Sequence, residues 1–230
     1  MSVGSNHRPL RDIVCDAIRE QIIGGQHRPG TRLVEDHLAQ ELGVSRSPVR
    51  EALRVLEVEG YVDMIPRKGV VVATLSMDEA AEIFEVRIAL ESLAARLAAR
   101  KATDATALRL DAILTDAERA HIRRDVGTLA RRNTEFHGLV LDLAGNGYLR
   151  DVMIPLRGRM QWIFSQTAEG DRGSHSLSEH RELARAIADH DEERAALSAA
   201  SHVRAAQVTF EAFRDGAAVT WTAALSGSNQ

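Results

Sequence analysis

One segment, residues 43–60 (GVSRSPVREALRVLEVEG), constrains the fold of this chain more than any other. It follows a short helical pattern within residues 33–42, and Gly43 and Val44 are predicted to form a tight turn between two helices. Three residues at helical spacing give the second helix an apolar face that can pack on a core: Val49, Leu53 and Leu56. Three arginines spaced by four residues share another face: Arg46, Arg50 and Arg54. This order predicts a helix-turn-helix unit.

The second helix carries the side chains expected for contact with double-stranded DNA. Arginine binds guanine O6 and N7 with two hydrogen bonds, and it grips phosphate with the same fork. Ser45 and Ser47 lie at the helix start, where hydroxyl and backbone N–H groups can hold a phosphate, and Pro48 suits the first turn. The alternative is a solvated helix face whose arginines pair with neighbours such as Glu57.

A small β-hairpin is predicted directly after this helix, from Val62 to Pro66 and from Val70 to Ala73. Its tip carries two cations and a glycine: Arg67, Lys68 and Gly69. Such a wing can reach into the neighbouring groove of DNA. The net charge of the chain is −4, which by itself does not indicate nucleic-acid binding. The prediction of DNA binding therefore depends on five cations gathered on one surface, since phosphate contacts are local.

Residues 10–75 resemble the winged-helix domain of the GntR family of bacterial transcription regulators. The resemblance is carried by AIREQIIGG at 17–25, PGTRL at 29–33, GVSRSPVREAL at 43–53 and EGYV at 59–62. It implies binding as a homodimer to a short palindrome, with contacts from Arg46, Ser47, Arg50 and Gly69. Asp36 departs from the pattern, because some members place an arginine there and an acid is repelled by phosphate.

After Leu75 the strand-like valines give way to long helical periodicity, so we expect two domains, at residues 1–75 and 76–230. Six helices are predicted in the second domain, near residues 76–100, 103–122, 125–144, 148–167, 176–189 and 191–213. Residues 168–176 are predicted to be a loop, and residues 216–225 a short helical turn. The predicted fold is mainly α, with an N-terminal winged helix-turn-helix and a C-terminal all-α antiparallel six-helix bundle.

Cys15 is the one cysteine of the chain, and its apolar helical surroundings favour a buried structural thiol over a redox sensor. No run of 18 apolar residues is present, and the N-terminus lacks the apolar core of a signal peptide. We therefore expect no membrane span and a cytoplasmic location.

Three histidines lie inside predicted helices of the second domain, beside core-facing residues: His137, His180 and His202. Asn133 precedes His137 by four residues, so their side chains share one helix face. Three imidazoles and an amide oxygen form a sensible ligand set for a borderline divalent metal, with Zn²⁺ favoured and Ni²⁺ or Mn²⁺ open. The alternative is a set of core histidines whose rings are hydrogen-bonded.

The second domain resembles the FCD effector domain of FadR-type GntR regulators, in the subgroup named for VanR. The resemblance is carried by residues 82–100, by RRNTEFHGLVLDLAGN at 131–146 and by SEHRELARAIADHD at 178–191. Metal-binding members use a D-x-x-x-H pair and two later histidines, which correspond here to Asn133, His137, His180 and His202. Asn133 is the departure, because an amide is a weaker ligand than a carboxylate and removes one negative charge.

The same resemblance implies that a small organic acid binds near the metal. Arg87 matches a family arginine that faces the cavity and can pair with a carboxylate. The alternative is a salt bridge between Arg87 and Glu91 on the same helix. Three further candidates for the effector site follow: Arg131, Arg132 and Gln161.

These features predict a ligand-responsive transcription regulator, usually a repressor, that binds operator DNA. A metal-responsive regulator without an organic effector would use the same histidines. A hydrolase with a histidine-bound metal is the third alternative. It lacks a placed general base, because Glu135 and Glu179 adjoin predicted ligands in sequence and should point elsewhere on their helices. We therefore expect no enzymatic activity.

Overall fold

The computed structural model describes residues 8–167 and 171–225, with the backbone alone described for residue 77 and for residues 161–167, 171–174 and 213–225. The chain divides into two compact units. The first contains residues up to Ser76 together with Val152–Trp162, and the second contains Met77–Asp151 and the residues from Ile163 onward. Among the described helices, none combines the length and apolar character needed to cross a lipid bilayer.

The first unit contains three short helices and a small sheet, in the order α1 (Leu10–Ile23), β1 (Arg32–Leu33), α2 (Glu35–Glu41), α3 (Arg46–Val58), β2 (Val62–Ile65) and β3 (Gly69–Val72). The apolar face of α3 is fully buried at Val49, Leu53 and Leu56, as predicted. It packs with residues of α1 that include Val14 and Ile18. Cys15 joins this core, and desolvation by burial raises the pKa of its thiol to about 11.

The turn between α2 and α3 is where the sequence predicts it. Gly43 has a φ of +65°, a conformation that glycine adopts without strain, and the Val44 N–H donates to the Ala39 carbonyl over 3.0 Å. Ser45 is the N-cap residue of α3, although its side chain makes no capping hydrogen bond. The helix-turn-helix geometry is thereby confirmed within the described residues.

The wing is a three-stranded antiparallel sheet with the strand order β1-β3-β2, rather than an isolated hairpin. The hairpin pairs Val62 with Val72 and Ile65 with Gly69. The added strand, β1, pairs Arg32 with Val71 and Leu33 with Val70. Strand β1 pairs with the β3 edge of the hairpin, and a three-stranded sheet is more stable than an isolated pair of strands.

The segment Val152–Trp162 of helix α7 (Gly147–Thr167) packs within the first unit. Its backbone comes so close to the end of α3 that a Cβ atom on Gly158 would lie 1.8 Å from the Glu59 carbonyl oxygen. Gly60 has a φ of +81°, and a Cβ atom added to it would lie 2.3 Å from the Pro155 carbonyl oxygen. Arg159 donates to Asp63 over 2.8 Å. The sequence pattern gave no sign of this association.

The second unit is helical, with α4 (Met77–Lys101), α5 (Asp104–Ile122), α6 (Val126–Ala144), the ends of α7, α8 (Asp171–Ala188) and α9 (Glu192–Leu225). Its core combines small residues of α4 and α9, such as Ala95 and Ala199, with large ones such as Phe136. Small side chains allow α4 and α9 to pack closely. Among the described residues, side chains cap four of these helices at their N-termini, and the capping residues are Thr103 at α5, Asp125 at α6, Asn146 at α7 and Asp191 at α9.

Two boundaries predicted in the second domain are wrong. Helix α8 begins at Asp171, so most of the predicted loop at 168–176 is helical; residues 168–170 lie outside the described part of the chain. The polar character of this run had favoured a loop, but residues 171–176 belong to the helix. Helix α9 runs to Leu225 without the predicted break after residue 213.

Candidate DNA-binding surface and metal centre

The predicted DNA-contact residues all lie on the exposed side of the first unit. Helix α3 presents Arg46, Arg50 and Arg54, and its first turn exposes Ser45 and Ser47. At the wing tip the exposed residues are Arg67, Lys68 and Gly69. The tip turn closes through the Lys68 N–H, which donates to the Ile65 carbonyl over 3.1 Å. Arg67 adopts a φ of +67°, a left-handed conformation that non-glycine residues rarely take, so the turn keeps an arginine where glycine would be less strained.

Two of the three arginines on α3 are paired with acids at the start of α2. Arg50 donates to Glu35 through Nε and Nη2, at 3.1 and 2.8 Å. Arg46 Nε lies 3.0 Å from Asp36. The hydrogen bond from Arg50 holds the pKa of Glu35 below its usual range. The acid pair therefore orients two guanidinium groups on the surface, and it competes with phosphate for them.

The three predicted metal-ligating histidines come together in the second unit, one each from α6, α8 and α9. His180 Nε2 lies 3.1 Å from His137 Nε2 and 3.3 Å from His202 Nε2. Ligand atoms of all three rings lie within 4.8 Å of one another. His180 and His202 are buried. The Phe136 ring packs against the His180 ring, with centroids 4.7 Å apart and ring planes tilted by 33°.

The outer nitrogens of two of these rings face carboxylates. His202 Nδ1 lies 2.7 Å from Glu179 Oε2, and His137 Nδ1 lies 3.5 Å from Glu91 Oε2. An imidazole that donates its Nδ1–H to a carboxylate keeps a bare lone pair on Nε2. The Nε2 lone pair of His202 consequently points toward the space that His137 and His180 also face. Three neighbouring imidazole nitrogens match the ligand preference of Zn²⁺.

Glu179 was predicted to point elsewhere on its helix than the adjacent His180. It nevertheless contacts a predicted ligand, because His202 lies on another helix, α9, with its Nδ1 2.7 Å from Glu179 Oε2. Glu91 was considered only as a partner of Arg87, yet it also lies beside His137. Both carboxylates contact the outer side of the rings rather than the converging Nε2 atoms. Helix-face spacing could not reveal them, because each contact joins two helices.

The candidate effector residues have distinct surroundings. Arg87 is buried and pairs with Glu91, from Nε to Oε1 over 2.8 Å, so the salt bridge weighed as an alternative is present. Glu91 also lies beside His137, so Glu91 connects Arg87 to His137. Arg132 pairs with Glu135 and, over 3.1 Å, with Asp116. Arg131 is exposed and donates to Thr128. The side chain of Gln161 lies outside the described residues.

Asn133 lies one helical turn before His137 on α6 and is half-buried. The i, i+4 spacing places the two side chains as neighbours on one face. The sequence-predicted donor set is therefore compatible with the geometry, while the ligand role of Asn133 stays a prediction.

Comparison with known proteins identifies both parts of the chain. Residues 10–72 match the family of bacterial regulatory proteins called gntR, and residues 82–205 match the FCD domain. This chain belongs to the GntR family of regulators with an FCD domain. The FadR and VanR subgroups are consistent with that pairing of domains.

The relatives are transcriptional regulators rather than enzymes. The chain is 32% identical to the uncharacterized HTH-type transcriptional regulator YdhC of Bacillus subtilis (strain 168), over 72% of this chain and 75% of YdhC. It is 31% identical to the Nta operon transcriptional regulator of Aminobacter aminovorans, over 77% and 83% of the two chains. The structure of McbR/YncC of E. coli has the same fold, with a TM-score of 0.76, 23% identity and coverage of 90% and 100%.

Proposed function

We propose that this GntR regulator is a ligand-responsive repressor that binds a palindromic operator as a homodimer. In the proposed function, a small organic acid binds the helical domain beside a divalent metal, and its binding changes operator affinity. One observation carries the proposal: three buried or half-buried imidazoles converge their Nε2 atoms in the domain that does not read DNA. A proton on His180 Nε2 lets this ring donate to a neighbouring ring at these distances, and a bound metal ion would take the place of that proton.

The DNA-reading part of the proposal assigns α3 to the major groove. Arg46 and Arg50 reach bases or phosphates there, and Ser45, Ser47 and Arg54 contact the backbone. The wing tip places Arg67, Lys68 and Gly69 at the neighbouring groove. Because Glu35 and Asp36 form ion pairs with two of these arginines in the free protein, DNA must displace the two acids to bind those arginines. Two copies of α3 in a dimer would meet two half-sites one helical turn apart.

The metal part of the proposal assigns His137, His180, His202 and Asn133 as ligands. The donor set fits a zinc ion, since three imidazole nitrogens and one oxygen give four neutral donors. When bound, the ion would supply a Lewis-acid anchor for a carboxylate. Arg87, one contact away through Glu91, would exchange its internal partner for the same carboxylate, and Arg132 and Gln161 are the further effector residues. Binding that favours one orientation of the DNA-reading units shifts the population toward it.

A regulator that responds to metal alone is the second candidate, and the same histidine cluster supports it. The two candidates differ in whether an organic acid changes operator binding when metal is already bound. As a reader of bacterial operator DNA, the protein is assigned to the cytoplasm.

The test uses purified full-length protein and operator DNA selected from genomic fragments. Fluorescence anisotropy would follow operator affinity after chelator treatment, after zinc addition, and after zinc addition with a panel of small carboxylic acids. The proposal expects at least one acid to change affinity several-fold in the presence of zinc. A response to zinc that no acid alters would favour the metal sensor. An operator affinity indifferent to both would overturn the ligand-responsive function.

A further inference from the structure

The outer shell of the histidine cluster contains two carboxylates with different geometry. Glu179 is a quarter exposed and accepts from His202 Nδ1 over 2.7 Å, within the range of a short charge-assisted hydrogen bond. Glu91 is buried, and its Oε2 lies 3.5 Å from His137 Nδ1, which is too long for a good hydrogen bond. Glu179 can therefore fix a tautomer, whereas Glu91 acts mainly through its charge.

The charge around the cluster is unusual for a divalent cation site. The four proposed ligands are all neutral, because Asn133 offers an amide oxygen rather than a carboxylate. A cation in a half-buried site bound only by neutral ligands has lost hydration without gaining a counter-charge. Negative charge is nevertheless present one layer out, on Glu91 and Glu179. Arg87 offsets part of it through its pair with Glu91.

We infer that Glu179 is a positioning residue of the metal centre, and that it does two things. It holds His202 in the tautomer with Nδ1 protonated, which leaves Nε2 free to bind metal. Together with Glu91, it supplies from the outer layer the negative charge that Asn133 does not supply from the inner one. The inference rests on the proposed function, because it requires that the histidine cluster binds metal.

The role of Glu91 links the cluster to the effector candidate. Glu91 Oε1 accepts from Arg87 and Oε2 faces His137, so one carboxylate touches both the proposed effector residue and a proposed metal ligand. An anion that binds Arg87 in place of Glu91 would leave the negative charge of Glu91 uncompensated beside His137. Effector binding and metal binding should then strengthen one another, as reciprocal linkage requires.

The decisive variant is Glu179→Gln, which keeps the shape and removes the charge. Glu182→Gln on the same helix is the matched control, because Glu182 is half exposed and pairs with Arg194. Zinc affinity of the full-length proteins would be measured by competition with a chromophoric chelator. Glu179→Gln should weaken zinc binding about 10- to 100-fold, the range typical of lost outer-shell partners. Glu182→Gln should stay within about twofold of wild type by the same reasoning.

A rescue variant separates charge from folding. Asn133→Asp, introduced into Glu179→Gln, should restore most of the lost zinc affinity, because it returns one negative charge to the site. Circular dichroism would confirm that each variant is folded. Imidazole nitrogen NMR of the wild-type protein gives an independent readout, and it should show His202 protonated on Nδ1.

Three outcomes would overturn the inference. Equal zinc affinity of Glu179→Gln and Glu182→Gln would remove the role of Glu179 and leave the proposed function intact. A wild-type spectrum in which His202 Nδ1 carries no proton would also remove the role of Glu179 and leave the proposed function intact. Wild-type protein that binds no zinc would overturn the metal part of the proposed function and the inference with it, and this result needs no variant to be recognised.

Discussion

At the scale of single residues, His180 is central to the proposed metal centre. Its Nε2 is the atom that lies within 3.3 Å of both other rings. We predict that His180→Ala reduces bound zinc from one ion per chain to near zero, because the two remaining imidazoles and an amide are too few strong ligands. Metal content after dialysis would be measured by mass spectrometry. His175→Ala, at an exposed site on the same helix, should retain zinc; equal content in both variants would contradict the assignment.

The buried pair of Arg87 and Glu91 gives a second prediction at this scale. Arg87 has a side chain that is 4% exposed, so removing it leaves a buried carboxylate without its main partner. Arg87→Met should lower the free energy of unfolding by about 3–5 kcal/mol, measured by urea denaturation. The double variant Arg87→Met with Glu91→Leu should recover part of that loss.

The control for the Arg87 variant is Arg96→Met, on the same helix at a 41% exposed site paired with Glu193. It should change stability by no more than about 1 kcal/mol. If Arg87→Met lowered the free energy of unfolding as little as Arg96→Met, the pair of Arg87 and Glu91 would not be buried in solution.

At the scale of elements, Arg181 joins α8 to α5. It donates to Glu118 over 2.6 and 2.9 Å and to Thr115 over 3.0 Å. The hydrogen bond from Arg181 lowers the pKa of Glu118. Because that pKa is depressed in the folded state, the stabilisation is complete above the unfolded value of about 4.3 and is lost as pH falls through the lower folded value.

We predict that Arg181→Met destabilises the protein by about 1 kcal/mol near pH 7, because Glu118 is partly exposed and water screens the pair. The difference from wild type should shrink below about pH 4, as Glu118 is protonated in both proteins. Thermal unfolding of both proteins over a series of pH values would measure this difference in stability. Arg185→Met, an exposed position on the same helix, serves as the control. A difference that stays constant down to pH 3 would contradict this account.

The close approach of α7 to the end of α3 gives an element-scale prediction within the first unit. A methyl group on Gly158 would collide with the Glu59 carbonyl, which belongs to the backbone and cannot move aside cheaply. Gly158→Ala should destabilise this unit by about 1–3 kcal/mol. Hydrogen exchange should become faster in residues 152–162 and at the end of α3. Gly147→Ala on the same helix meets no atom within 4 Å and should change neither; equal exchange in both would refute the contact.

Elements with local signals were predicted from the sequence, and elements that depend on distant partners were not. Helices α2 and α3 have their own turn glycine and apolar periodicity. Strand β1 is two residues long and exists because Leu33 pairs with Val70, a partner far along the chain. The sequence predicted a polar loop at 168–176 and a helix end near residue 213, but α8 begins at Asp171 and α9 runs to Leu225.

At the scale of the whole molecule, the same distinction applies to the sites. The arginine face of α3 could be found from spacing, because it depends on one helix and one kind of side chain. The three histidines lie on three helices, and the resemblance to the FCD domain, more than spacing, predicted that they form one site. The acids that complete both sites could not be found from spacing: Glu35 meets Arg50 across a turn, and Glu179 meets His202 across two helices. Charged partners that belong to different elements leave no periodic trace in a sequence.

The central claim is that α3 of this regulator reads DNA, and operator binding by wild type, Arg50→Ala and Arg100→Ala tests it most directly. Arg100 is an exposed arginine on α4, paired with Glu192, and serves as the matched control. Gel shift across a salt series should show specific binding by wild type and Arg100→Ala, and loss of at least about tenfold in affinity for Arg50→Ala, the value of one good bidentate contact. Equal binding by all three proteins would contradict the assignment of α3 to the major groove.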